Sequence, residues 1–157
     1  MSRIPIRVLF VCLGNICRSP MAEAVFRHKL EKLGLTGTVE ADSAGTGNWH
    51  IGAEPHAGTM RTLRLNQIEY KHYARQIQAA DLQKFDYIIA LDGQNLRDVR
   101  RIGQTSAHVA TLLSYAPHLG IHDVPDPWYT GDFAETYRLV DEATDSLIMA
   151  IREQRQL

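Results

Sequence analysis

The first apolar run, Ile6-Arg7-Val8-Leu9-Phe10-Val11, is short, β-branched and almost unbroken. A strand covered on both faces reads this way, whereas a strand with one wet face alternates. A polar, glycine-containing stretch over 12–18 follows, and the periodicity then changes. Met21, Ala22, Val25, Phe26, Leu30 and Leu33 recur at helical spacing. Ser19-Pro20 reads as the helix start, with Ser19 as N-cap and Pro20 in the first turn, and Gly34 reads as the stop. The pattern repeats along the chain. Strands are predicted over 38–43, 87–91 and 108–113, and helices over 57–65, 94–102 and about 132–155. The last helix carries Phe133, Tyr137, Val140, Leu147 and Ile151 along one face. Alternating strands and helices predict an α/β fold: a single three-layer domain over 1–157, with a central four-stranded parallel sheet and helices on both faces. In such sheets ligands sit beyond the carboxyl ends of the strands. The stretch over 12–18 lies there, directly after the first strand.

Composition narrows the function classes. Of 157 residues, 45% are apolar and 22% charged, and the net charge is −1. This excludes a disordered chain. It also argues against a nucleic-acid or anionic-membrane partner, which calls for a basic excess. No apolar run approaches the roughly 20 residues of a membrane helix. The basic groups of residues 1–7 precede an apolar run too short for a signal-peptide core. A soluble, cytoplasmic protein is expected. The seven histidines show no metal-ligand spacing. His118 and His122 are four apart, but Pro117 and Gly120 argue against a helix presenting both. Neither a metal nor a cofactor is expected. Two cysteines cannot staple a secreted scaffold, so each needs its own explanation.

They are Cys12 and Cys17, in Cys12-Leu13-Gly14-Asn15-Ile16-Cys17-Arg18-Ser19. Successive backbone N–H groups between a strand and a helix N-terminus can converge on one anion, and the helix dipole adds positive potential. The segment is not a nucleotide-binding Walker loop, since it lacks the second glycine and the Lys-Ser/Thr pair. Instead it opens on a cysteine and carries an arginine six positions later. A cradle of donors favours the thiolate, the nucleophilic form of cysteine. The planar fork of Arg18 suits two oxygens of a phosphate. A lone cysteine after a strand more often simply packs. Here the glycine, asparagine, arginine and Ser-Pro helix start all fall where phosphoryl transfer to sulfur wants them.

The segment 12–20 resembles the signature loop of the low-molecular-weight protein tyrosine phosphatases. The resemblance continues, in order, through Ser43-Ala44-Gly45-Thr46, Asn48-Trp49-His50, His72-Tyr73-Ala74-Arg75-Gln76, Phe85-Asp86-Tyr87-Ile88, 92–95 and Asp126-Pro127-Trp128-Tyr129, so it covers nearly the whole chain. It implies that Cys12 is the nucleophile, Arg18 the phosphate clamp and Asp126 the general acid and base, with Leu13, Gly14, Asn15, Ile16, Cys17 and Arg18 binding phosphate. It further implies a supporting set of Asn15, Ser19, Ser43 and His72. The Ser19 hydroxyl is expected to donate to the Cys12 sulfur. No cofactor and no metal enter the implied reaction, and the implied partners are phosphotyrosine-containing proteins.

Several residues also have plainer readings. An Asp beside Pro is commonly a turn residue, but here the prolines at 125 and 127 are expected to stiffen Asp126 into place, outside any helix or central strand. Trp49, Trp128 and Tyr129 read as cleft walls suited to a flat phenyl ring and too deep for a short phosphoserine. Relatives often carry Tyr where this chain has Trp128. Cys17 reads as a redox partner forming a reversible disulfide with Cys12. The segment 53–58 departs from the family's common form, which has an Asp and an Arg nearby. Two other readings are weaker. An arsenate reductase needs further cysteines, and none follows residue 17. A non-catalytic phosphate-binding module does not need Cys12, Arg18 and Asp126 intact. A phosphoarginine-directed relative favours Thr where this chain has the apolar Ile16. The substrate and the oligomeric state, a monomer or a weakly self-associating chain, are not fixed by one sequence.

Overall fold

The computed structural model describes residues 4–157, so the first three residues of the basic N-terminal stretch lie outside it. Four parallel strands lie in the order β2-β1-β3-β4. They are β1 (Ile6–Cys12), β2 (Val39–Gly45), β3 (Tyr87–Ala90) and β4 (His108–Thr111). The two inner strands are the near-continuous apolar runs, because each is covered on both faces. The edge strands are less apolar and less buried.

Alternation along β1 sends its side chains to two cores. Val8, Phe10 and Cys12 face the larger one, with α1 (Arg18–Lys32), α2 (Ala57–Leu65) and the long α6 (Phe133–Arg155). Phe10 and Phe26 meet edge to face there, with ring centres 5.3 Å apart. Leu9 and Val11 face the smaller core, with α3 (Asp81–Lys84) and α4 (Gly93–Ile102). Among the described residues no helix is long and apolar enough to cross a membrane.

Local differences from the sequence expectation have identifiable causes. The helix α1 starts at Arg18, with Cys17 in the cap position and no side-chain cap. Ser19 is not the cap, because its hydroxyl is engaged by Cys12 and Asn15. Gly34 does end α1, at φ +70°. The fourth strand stops at Thr111 and tightens into a 3₁₀ turn, Leu112–Tyr115. Pro127 does not keep its segment out of helix. It occupies the first position of a one-turn helix, α5 (Pro127–Thr130), where a missing N–H costs nothing, and Asp126 caps it. The short α3 had no periodic signal, being a single turn.

Candidate active site

Cys12 closes β1, paired with Gly45 of β2, and the chain then turns through 13–17 into α1. The carbonyls of this turn are tied outward. Cys12 O accepts from Thr46 N (2.9 Å), Leu13 O from Gly47 N (2.9 Å), Ile16 O from His56 N (2.7 Å) and Cys17 O from the Thr59 hydroxyl (3.1 Å). A trans peptide sends its N–H opposite its C=O. The N–H groups of Leu13, Gly14, Cys17 and Arg18 are therefore turned away from these anchors, and the same four residues line the cleft. Asn15 sits in the left-handed region at φ 56°, and its N–H points at Cys12 Sγ, 3.3 Å away. The tie to β2 needs glycine at 45: a Cβ there would lie 2.7 Å from Leu13 O.

Beneath the turn is a directed hydrogen-bond network. Asn15 Nδ2 donates to Ser19 Oγ (2.8 Å) and to Ser43 Oγ (3.0 Å). The Ser19 hydroxyl lies 2.9 Å from Cys12 Sγ, and it is the donor whenever the sulfur is a thiolate, which has no proton to give. Ser43 in turn donates to Glu23 Oε1 at 2.7 Å. Asn15 Oδ1 accepts from Arg75 N (3.0 Å) and lies 2.8 Å from His72 Nε2, which fixes Nε2 as the protonated nitrogen. Burial holds the pKa of His72 below its ordinary value against the opposing pull of Glu23 and Asp42. Tyr70 also donates to Glu23, and its hydroxyl is pushed far up, first by burial and then by that carboxylate. Arg75 ties the edge of this network to Asp42 and Asp81, each at 3.0 Å. Asn15, Ser19, Ser43 and His72, the set that the resemblance implied, thus lie together in one network. Glu23, Tyr70 and Arg75 join them unannounced.

Arg18 is buried and reaches three groups. Its Nη1 donates to Asp92 at 2.6 Å and to Val124 O at 3.0 Å, and its Nη2 lies 3.4 Å from Asp126. Burial would lower its pKa, but the neighbouring Cys12 sulfur and Asp92 outweigh it and raise the value, keeping the cation. Cys17 behaves oppositely. Burial first, then the charges of Cys12 and Asp126, push its thiol up to about 12.

Above this floor is a cleft of ≈ 240 Å³. Ile16 and Asp126 line it, as do Trp49, Trp128 and Tyr129. These three aromatics are 69%, 54% and 79% exposed, so they form a rim rather than a core. His50 also lines the cleft, 5.7 Å from the Trp128 ring. His56 stacks on Phe133 at 4.9 Å and meets Trp128 edge-on at 5.8 Å. No role for His50, His56 or Asp92 was drawn from sequence. The one available signal was the place of Asp92 directly beyond the third strand, at the ligand-binding edge. Chemically, the arrangement offers a buried sulfur nucleophile, a fan of N–H donors, a fixed guanidinium and a carboxyl group above them. The set suits a tetrahedral oxyanion and needs no metal ligand to complete it.

Comparison with known proteins agrees. The family model for low molecular weight phosphotyrosine protein phosphatase matches residues 7–157, and the chain belongs to that family. It is 48% identical over 155 residues to the low molecular weight protein-tyrosine-phosphatase YfkJ of Bacillus subtilis, covering 97% of this chain and 99% of that one. The crystal structure of YfkJ superposes with a TM-score of 0.94 at 46% identity, over 97% of this chain and 98% of the other. DARP, a drosophila arginine phosphatase, has the same fold, with a TM-score of 0.87 at 32% identity over 92% of this chain and 97% of its own.

Proposed function

We propose that this protein is a protein tyrosine phosphatase, a phosphoric monoester hydrolase acting on phosphotyrosine and small aryl phosphates. One observation carries the reading: Cys12 Sγ lies at the floor of an aromatic-rimmed cleft, with Ser19 Oγ at 2.9 Å and Asn15 N at 3.3 Å as donors. The thiolate of Cys12 attacks phosphorus in line, and the bond to the ester oxygen breaks. Asp126, on the cleft wall, gives that oxygen its proton, so a neutral phenol leaves. Arg18 turns from Asp126 to the equatorial oxygens, which the N–H groups of 13–18 also hold. Asp126, now a carboxylate, takes a proton from water, which attacks the cysteinyl phosphate and restores the thiolate.

The substrates on this reading are phosphotyrosine-containing proteins. We further infer a cytoplasmic enzyme, monomeric or weakly self-associating. Two cysteines in 157 residues leave no disulfide framework, which suits a reducing compartment. The apolar Ile16 on the cleft wall favours an aryl phosphate ester over the charged P–N-linked phosphoguanidine of phosphoarginine.

The purified protein should hydrolyse p-nitrophenyl phosphate in the presence of EDTA. Cys12→Ser should lower turnover roughly 10³-fold or more without unfolding the chain. Asp126→Ala should cost about 10²-fold or more on phosphotyrosine, and less on p-nitrophenyl phosphate, whose leaving group needs little protonation. Strict metal dependence, or faster cleavage of phosphoarginine than of phosphotyrosine peptides, would overturn the assignment.

A further inference from the structure

Beside the cleft lies a second hollow, of ≈ 290 Å³. It shares Leu13 and Trp49 with the cleft, so the Trp49 indole is a wall common to both. Gly47 makes this wall possible. A Cβ there would lie 1.8 Å from the Trp49 ring, so any larger residue would push the indole aside. Leu13 and Ile102 give the hollow apolar surface, and Asp98 and Arg101 of α4 give it charge.

Within the hollow Arg101 faces Asp98 alone, and the helix that carries both is basic: over Gly93–Ile102, Arg97, Arg100 and Arg101 outnumber the single Asp98. Arg101 touches Asp98 at 3.4 Å, but the Arg101 side chain is 73% exposed. An exposed pair of that kind contributes little and yields readily to a better-placed carboxylate. Asp98 is also supplied by Gln94 at 3.0 Å, so it keeps a partner when Arg101 turns away.

We propose that this hollow receives the side chain next to the phosphotyrosine in a protein substrate, and that Arg101 makes an acidic residue the preferred one. The inference rests on the phosphatase reading. A phosphotyrosine ring seated between Trp49 and the Trp128–Tyr129 side of the cleft brings its backbone to the rim. The neighbouring Cα lies only about 3.8 Å further along the chain. From there a side chain of glutamate length crosses Trp49 and meets Arg101. The apolar part of the hollow covers its methylene groups.

The test compares short phosphopeptides carrying Glu, Ala or Lys on either side of phosphotyrosine. A Glu peptide should exceed the Ala peptide in kcat/KM by about 1.5- to fivefold, the range of one exposed charge pair, and the Lys peptide should fall below it. High salt should erase most of the difference. Arg101→Ala should remove the preference, and Arg101→Glu should invert it towards Lys. Neither change should alter hydrolysis of p-nitrophenyl phosphate, which has no neighbouring residue. Equal rates for all peptides with the native chain, or a Glu preference that survives Arg101→Ala, would overturn the subsite. Failure of the native chain on p-nitrophenyl phosphate would instead overturn the phosphatase reading.

Discussion

Cys12 and Cys17 share one turn but face opposite electrostatics. Cys12 receives donors from Ser19 and Asn15, whereas Cys17 is buried, with its thiol pushed up to about 12. Near neutral pH Cys17 is therefore a thiol and a poor nucleophile. Iodoacetamide should label Cys12 and spare Cys17, as peptide mass mapping would show; equal labelling would contradict the contrast. We propose that once peroxide has converted the Cys12 thiolate to a sulfenic acid, the neighbouring Cys17 thiol attacks the sulfenic sulfur, forming the disulfide and releasing water. On this proposal, mild peroxide gives one internal disulfide that a thiol reverses, and Cys17→Ala makes the inactivation irreversible. The residues legible from sequence, Cys12, Arg18 and Asp126, share a trait: each has an unusual local setting. Glu23 had none, and Asp92 had only its place directly beyond the third strand. Asp92 meets Arg18 across 74 positions, and Glu23 lies in the part of α1 that is buried on every side, where periodicity marks no face.

At the scale of elements, the alternation of strands and helices was readable because inner parallel strands are apolar throughout and helices have a period. What sequence could not supply was how loops dock. The segment 53–58 is the clearest case, since its contacts acquire a physical account only in three dimensions. His56 caps α2 through Nδ1, which accepts from Gly58 N at 2.9 Å. Its backbone N–H holds Ile16 O of the phosphate loop, and its ring bridges Phe133 and Trp128. Gly58 is required beside it, because a Cβ would lie 2.5 Å from the Phe133 ring. The two side-chain roles can be separated. His56→Asn keeps a good cap but loses the ring, so KM for aryl phosphates should rise a few-fold while thermal stability holds. His56→Phe keeps the ring and loses the cap, so stability should fall by about 1 kcal/mol with KM little changed. Calorimetry and steady-state kinetics on the pair would decide, and parallel losses in both variants would refute the division.

Across the whole molecule, Arg18 is where separate parts of the chain meet at the carboxyl edge of the sheet. It joins the start of α1 to Asp92 beyond β3, and to Val124 O and Asp126 in the segment that carries the proposed acid. The same guanidinium thus holds the fold together and waits for phosphate. Removing it should cost about 3 kcal/mol, because Asp92 would be left without its charged partner in a poorly solvated place. A bound oxyanion should act in the opposite direction. It engages Arg18 and the N–H fan only in the folded chain, so it stabilises by mass action, by about 2.7 kcal/mol at a concentration a hundred times its Kd. For a chain of this size that is a rise in Tm of roughly 5–10 °C. Vanadate or inorganic phosphate should produce it in the native protein, in a dose-dependent way. Arg18→Ala should both lower the starting Tm and flatten the response. Asp126→Ala should retain the response, because in the proposed mechanism Asp126 serves the leaving oxygen rather than the bound oxyanion. An unchanged rise in Arg18→Ala would mean that the anion binds elsewhere, and the turn at 12–18 would then be a structural feature rather than the phosphate cradle.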